Sequence, residues 1–507
     1  MNTTLRKTLG AAPFLLAAAI LLGGLLGTMP NPPDEGDNML GALCVARGGD
    51  IYKDYFSQHT PFPYYFTALF ALMGVNSVIG FRLAFSLALL IFWLVIYLAY
   101  AGSVPKMALL FFMAAYPLLA PFCLGHLILA EVFTAHALVV LLLEYLCYLQ
   151  VRALPLRRML VISLCVFVAV MSCFISIYAV FFILLGFGLG ELRGLARATF
   201  AARLRRWGLF LLLLAAPFGL LSAWYAATDN LRNFYEMAYL LNRTVYSHYI
   251  GGMGASAWAP FLSMPPAWLL HIWAALAAGV TRGAMTLSLL LAATNLIFLV
   301  VLFRRQALAA LILFLFLAAT GIRGYGGSGY TGFHSMPYYV VSLLVFGLVL
   351  SWLARPKIWA WIGSLGLLLI FLGLTLPVYA GHAQFKVAAL RKCPLFPTVY
   401  EPYIQAFTRA SDMIWSAGLS DYLFIDNRLV PASRVCGLPP WVAERYSDMI
   451  IEDLSRNRPK LILLDPEWRI WGYRMGDYGG KIISYIQEHY QSLDKSDPVK
   501  RAIYLPK

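Results

Sequence analysis

Residues 83–101 read LAFSLALLIFWLVIYLAYA, nineteen residues without a charge, with Arg82 standing just before them. A helix needs about 20 mostly apolar residues to cross a bilayer. Comparable runs recur, and about eleven spans are predicted, at 9–29, 82–101, 107–124, 130–149, 158–172, 174–190, 207–226, 285–303, 306–321, 337–354 and 358–377. Composition points the same way: 61% of the 507 residues are hydrophobic and 12% charged, with a mean hydropathy of +0.73. A soluble chain carries roughly 25% charged residues, and single soluble cores stop growing near about 250–300 residues.

The net charge is +15, from 39 basic and 24 acidic residues. Nucleic-acid binding is rejected, because the basic residues cluster in short loops between apolar runs, where cytoplasmic loops carry them and where they meet anionic membrane lipids. With the N-terminus inside, Lys106, then Arg152, Arg157 and Arg158, then Arg193, Arg197, Arg203, Arg205 and Arg206, then Arg304 and Arg305, then Arg355 and Lys357 all fall on one side. Arg6 and Lys7 precede the first run, which reads as an uncleaved first helix. An odd span count puts the C-terminus outside.

Two regions break the apolar pattern. The loop 30–81 holds stretches too broken to span, Met39–Ala46 and Tyr64–Met73, which suit helices lying in the interface. The tail 378–507 holds 14 of the 24 acidic residues. In it Tyr422–Ile425 and Leu461–Leu464 read as buried strands and Ser447–Asn457 as an amphipathic helix. The predicted fold class is therefore mainly α: a polytopic transmembrane helical bundle over 1–377, with interfacial helices in the first outer loop and a small C-terminal α/β outer domain over 378–507. No Cys-x-x-Cys pair suggests a thiolate zinc site. Cys393 and Cys436 both fall in the outer domain, where an oxidising compartment permits a disulfide.

The residues that can carry chemistry gather at the outer ends of helices. Asp34-Glu35-Gly36-Asp37 follows the first span. It reads either as a hydrated loop or as a general base with a metal site, since Mg²⁺ and Mn²⁺ favour carboxylate oxygens. Glu131 opens the fourth span among apolar neighbours. It is either a helix N-terminal acid or a carboxylate facing a polar cavity, because an unpaired one near lipid is costly.

The order of these residues resembles a family. Asp34-Glu35-Gly36, then Gly48-Gly49-Asp50-Ile51-Tyr52 through His59-Thr60-Pro61-Phe62-Pro63-Tyr64-Tyr65, then Arg82-Leu83, look like the first outer loop of GT-C glycosyltransferases. The nearest branch holds protein O-mannosyltransferases and bacterial aminoarabinose and lipopolysaccharide-core sugar transferases. Glu131 matches an acidic residue of that family, and Phe333-His334-Ser335-Met336-Pro337 matches a late outer motif. Pro431-Ala432-Ser433-Arg434 and Arg458–Leu464 resemble the outer domain of some bacterial members. Thr60-Pro61-Phe62-Pro63 departs from the usual Pro-Pro-Leu, and a Lys common in the family has no counterpart near Phe174-Ile175-Ser176.

The resemblance implies transfer of a sugar from a polyprenyl-phosphate donor to a lipid, polysaccharide or protein acceptor at the outer face of the plasma (inner) membrane, with inversion. It makes Asp34 the base, with Glu35 in support, and Glu131 with Asp37 a second acidic or acceptor site. Arg323 and His334 are expected on the donor phosphate. His59, Tyr64, Arg82 and Arg243 are possible substrate contacts, and a divalent cation on Asp34 or Glu131 is left open. Rival readings are a lipid-linked glycan transporter or flippase, an O-antigen ligase or polymerase, and a glycan-binding scaffold.

Overall fold

The computed structural model describes residues 3–27, 32–193, 200–249, 283–324, 332–353, 366, 369, 372–376, 398–418 and 421–507. Most of the expected span 358–377, most of the loop 227–281, Arg197, Arg355, Lys357 and Cys393, hence the expected Cys393–Cys436 pairing, lie outside the described residues. The chain divides into two compact units. One comprises Met1–Thr28, Leu83–Ala227 and Ala255–Gln384; the other comprises Met29–Arg82, Thr228–Gly254 and Phe385–Lys507. The loop assigned in sequence to the membrane domain thus groups with the C-terminal residues.

The first unit is helical, and it makes the chain a membrane protein. Among the described residues six helices are long and apolar enough to cross a bilayer: Val78–Tyr100, Lys106–Cys123, Ala130–Val151, Phe174–Leu192, Arg205–Ala227 and Phe333–Leu353. Shorter apolar helices include Thr8–Gly23, Leu290–Phe303 and Ala307–Thr320. Helices therefore occupy the expected apolar stretches up to residue 354, and six of them reach the length of a span among the described residues.

Helix α6 (Ala130–Val151) is apolar on every side, and a helix of that kind belongs in the centre of a bundle. It is buried from Glu131 to Tyr145 and packs on α7 (Leu156–Ser172), α8 (Ile177–Arg193) and α12 (Met336–Leu353). Its polar groups are paired, as the interior demands. His136 Nε2 accepts from the Trp93 indole of α4 (Val78–Tyr100) at 3.1 Å, and Glu144 accepts from the Tyr100 hydroxyl at 2.5 Å. At the rim, α9 (Phe200–Ala227) exposes Leu211, Leu212, Leu220 and Trp224, an apolar face that suits lipid and not water.

The second unit joins three distant segments. Helices α2 (Pro33–Ala46) and α3 (Phe62–Leu72) form where interfacial helices are expected and pack on each other. Helix α2 also packs on α14 (Asp421–Asp426). A five-stranded mixed sheet runs β2-β1-β3-β7-β6, from Val430–Pro431, Met413–Ser416, Leu461–Leu463, Ile503–Pro506 and Tyr490–Ser492. Strand β1 pairs parallel with β2 and β3, while β7 pairs antiparallel with β3 and β6.

One sequence expectation is corrected. Tyr422–Ile425 is helix α14, not a strand, because an apolar run of four residues does not distinguish the two states; here its contacts with α2 decide. The neighbouring strand is Met413–Ser416, with Ile414, Trp415 and Ser416 buried. Leu461–Leu463 is a strand as expected. The helix expected from Ser447 begins earlier, as α15 (Pro440–Asn457), with proline in its first turn.

Hydrogen bonds knit the segments together. The Phe56 N–H donates to the Arg434 carbonyl at 2.7 Å, Trp441 Nε1 to Gln58 Oε1 at 2.7 Å, and Asn230 Nδ2 to the Ile51 carbonyl at 2.6 Å. The strongest tie is ionic. Arg82 grips Glu35 with two hydrogen bonds, at 3.0 Å and 2.6 Å, and Tyr422 adds a third at 2.7 Å. Both charges are sealed from solvent, with side-chain exposures of 1% and 0%. Arg82→Ala strands a buried carboxylate and is expected to cost roughly 3–5 kcal/mol. The Glu35→Gln/Arg82→Met double variant should cost less than Arg82→Ala, since no charge is left alone. Thermal unfolding in detergent measures both; a double variant less stable than Arg82→Ala contradicts the assignment.

Candidate active site

In the second unit, Pro32 and Pro33 open α2, with proline in its first turn and Asp34 and Glu35 following there. The unsatisfied N–H groups and the helix dipole favour anions at that position. The three carboxylates of the stretch then part ways. Glu35 is consumed by Arg82 and Tyr422. Asp37 Oδ1 accepts from the Tyr55 hydroxyl at 2.7 Å, and its Oδ2 accepts from Tyr64, whose oxygen lies 2.6 Å from Ser57 Oγ. Among the described residues Asp34 accepts from neither tyrosine nor arginine: its side chain is 31% exposed and lies 3.9 Å from His59 Nε2, while Asp37 is half-buried.

Two glycines allow this packing. A Cβ on Gly36 would stand 3.0 Å from Cβ of Asp421 and 3.3 Å from the Tyr422 ring; one on Gly41 would stand 2.5 Å from the Tyr64 ring. Helix α14 and the Tyr64 phenol can therefore close on α2 only across bare backbone. The closure buries acids. Burial raises the Asp37 pKa, against the opposing pull of His59 and the two tyrosine hydrogen bonds. Burial also pushes Asp421 well above the usual carboxylate range, reinforced by the charges of Asp37 and Asp34. The Tyr55, Tyr64 and Tyr422 phenols are raised by burial too. All three keep their protons at neutral pH, and Tyr55 and Tyr64 donate to Asp37 while Tyr422 donates to Glu35.

The structure thus brings together Asp34, Glu35, Asp37, His59, Tyr64 and Arg82 in one unit. It gives them unequal roles. Arg82 and Tyr64, expected as possible substrate contacts, are 1% and 0% exposed and bond Glu35 and Asp37. Arg243 lies elsewhere in this unit, exposed, with Nη1 donating to the Tyr239 hydroxyl at 3.0 Å. Asp421 and Tyr422 escaped the sequence reading. They lie almost four hundred residues from Glu35, and no local pattern links the two.

A second centre lies in the first unit. Glu131, in the first turn of α6 and 2% exposed, accepts from Arg323 and lies 3.1 Å from His334 Nδ1, both on Oε1. Arg323 Nη1 also lies 3.8 Å from Cys173 Sγ. Glu131, Arg323, His334, Cys173, Thr134 and Ser176 line a cavity of about 20 Å³, room for one water. The buried Ser176 hydroxyl has no partner among the described residues. Arg323 retains 29% side-chain exposure, so this centre presents a cation at its mouth and hydrogen-bonding groups within.

Glu131 is held by Arg323 and His334, and Asp34 faces His59. Among the described residues no three His, Cys, Asp or Glu side chains converge as metal ligands.

No family model matches the sequence, and no curated protein does so either. Among solved structures, the chain is similar to the archaeal oligosaccharyltransferase AglB from Archaeoglobus fulgidus, in complex with an inhibitory peptide and a dolichol-phosphate. The TM-score is 0.47 at 12% identity, over 99% of this chain and 74% of that one. Overlap at this level does not by itself fix an activity.

Proposed function

We propose that the protein is a membrane glycosyltransferase of GT-C type, which moves a sugar from a polyprenyl-phosphate carrier to an acceptor hydroxyl at the extracytoplasmic face of the plasma membrane. The observation that carries this reading is the division of labour on α2. A base must be reachable, oriented and unengaged by fixed cations. Asp34 has that access, while Glu35 is locked against Arg82 and Asp37 is capped by two tyrosines. The locked neighbours hold the turn that presents Asp34.

The chemistry follows from the groups present. Asp34 takes the proton of the acceptor hydroxyl as its oxygen bonds to the anomeric carbon. The bond from that carbon to the phosphate oxygen breaks, and the polyprenyl phosphate leaves with the electron pair. One displacement inverts the anomeric centre. Arg323, His334 and the Ser176 hydroxyl, which has no partner among the described residues, are the donors suited to the phosphate charge; donors set in place before the reaction stabilise charge without reorganising. Glu131 holds Arg323 and His334 toward one point until phosphate competes for them. The arrangement of basic loops supports a cytoplasmic N-terminus.

Asp34→Asn should insert and fold normally yet reduce transfer by roughly 10²–10⁴-fold, the usual worth of a general base. Mass spectrometry of surface glycans and glycolipids reads this out, and unchanged products remove Asp34 from the mechanism. Arg323→Lys and His334→Gln should each lower kcat/KM for the lipid-phosphate donor by about 10²-fold, with the acceptor KM unchanged. Steady-state kinetics that show only the acceptor term moving contradict the phosphate assignment.

A further inference from the structure

The helix that carries Asp34 at its start borders an open groove of about 560 Å³ near its end. Leu40, Cys44 and Arg47 face it, and their spacing puts them on one side of α2, with Asp37 three residues before Leu40 on the same stripe. Tyr55 joins the two ends: it lines the groove, and its hydroxyl donates to Asp37. The far wall comes from β2, the residues after it and the end of α15, including Arg434, Asp453 and Arg456.

The lining carries four cations, Arg47, Lys53, Arg434 and Arg456, against two carboxylates, Asp54 and Asp453. Asp453 is spent on Arg434 through two side-chain bonds, at 3.0 Å and 2.9 Å, and also accepts the Arg434 N–H and the Ser433 hydroxyl. Asp54 accepts the Asp50 N–H at 2.8 Å. Arg456 pairs outside the groove with Glu452 at 2.6 Å. Lys53 meets a neutral carbonyl, that of Thr228, at 3.2 Å. Arg47 makes no ion pair among the described residues, and both it and Lys53 are exposed. The surplus is positive and reachable.

We infer that this groove binds an anionic group, phosphate or carboxylate, carried on the acceptor saccharide. Its volume falls in the range of small-ligand sites, about 300–1,000 Å³, more than one inorganic ion fills. A guanidinium meets such oxyanions in bidentate fashion. Asp34 and Arg47, the residue that caps the helix, stand thirteen positions apart, a run of about 20 Å at 1.5 Å per residue. The groove is therefore a handle remote from the reacting hydroxyl, where binding energy can be spent on orienting the acceptor. This inference rests on the reading of Asp34 as the base at the acceptor.

The test uses the full chain in nanodiscs of zwitterionic lipid, with calorimetric titration of mannose 6-phosphate, mannose and inorganic phosphate. Mannose 6-phosphate should bind at least tenfold more tightly than either control. Arg47→Gln/Lys53→Gln, two surface changes checked for an unchanged melting temperature, should lose at least tenfold of that affinity, whereas Asp34→Asn should keep it. An unaffected double variant, absent binding, or inorganic phosphate binding equally well overturns the inference. So does a loss confined to binding of phosphatidylglycerol vesicles, which makes the groove a lipid headgroup site. If Asp34→Asn retains transfer while the groove behaves as expected, the assignment of the base fails and the anion site stands.

Discussion

The acidic end of α2 depends on one ion pair. Glu35 and Arg82 are both sealed from solvent, and a buried carboxylate without a cation is among the costliest errors a fold can carry. The bidentate fork of Arg82 and the Tyr422 hydroxyl remove that error. In doing so they fix three segments that are far apart in sequence: the first turn of α2, the start of α4 and helix α14. Gly36 lets α14 come close enough for this, because any side chain there would strike Asp421 and Tyr422. The position of Asp34 is a consequence. It sits on a turn whose next residue cannot move without exposing or stranding a charge.

The same physics recurs around Glu131 with a different result. There too a buried carboxylate is answered by an arginine, joined by His334. Arg323 keeps part of its surface open, whereas Arg82 keeps almost none. A cation that is entirely enclosed can only hold structure, while one that is partly open can still meet an incoming anion. On the proposed reading, this difference in exposure, rather than residue type, is what leaves Arg323 able to meet the donor phosphate while Arg82 only braces.

Much of the architecture could be read from the chain alone. Runs of apolar residues mark helices wherever they are long, since the bilayer demands length and internal hydrogen bonding regardless of context. Helices near Met39 and Tyr64 were legible too, from apolar stretches too broken to span. Short elements were not. Tyr422–Ile425 has the composition of a buried strand, yet it is a helix because α2 offers a face for it. Six of the expected spans reach crossing length among the described residues, and most of the stretch 358–377 lies outside them.

The sequence by itself determined that this chain lives in a membrane, where its long helices lie, and that its acidic residues gather after the first helix and in the C-terminal stretch. Those properties follow from local hydropathy and spacing. Which of Asp34, Glu35 and Asp37 is accessible, why Arg82 and Tyr64 are turned inward, and that Asp421 and Tyr422 belong beside them were decided only by tertiary structure. Burial and pairing are set by residues tens to hundreds of positions away, and a carboxylate carries no mark in sequence of the partner that will neutralise it.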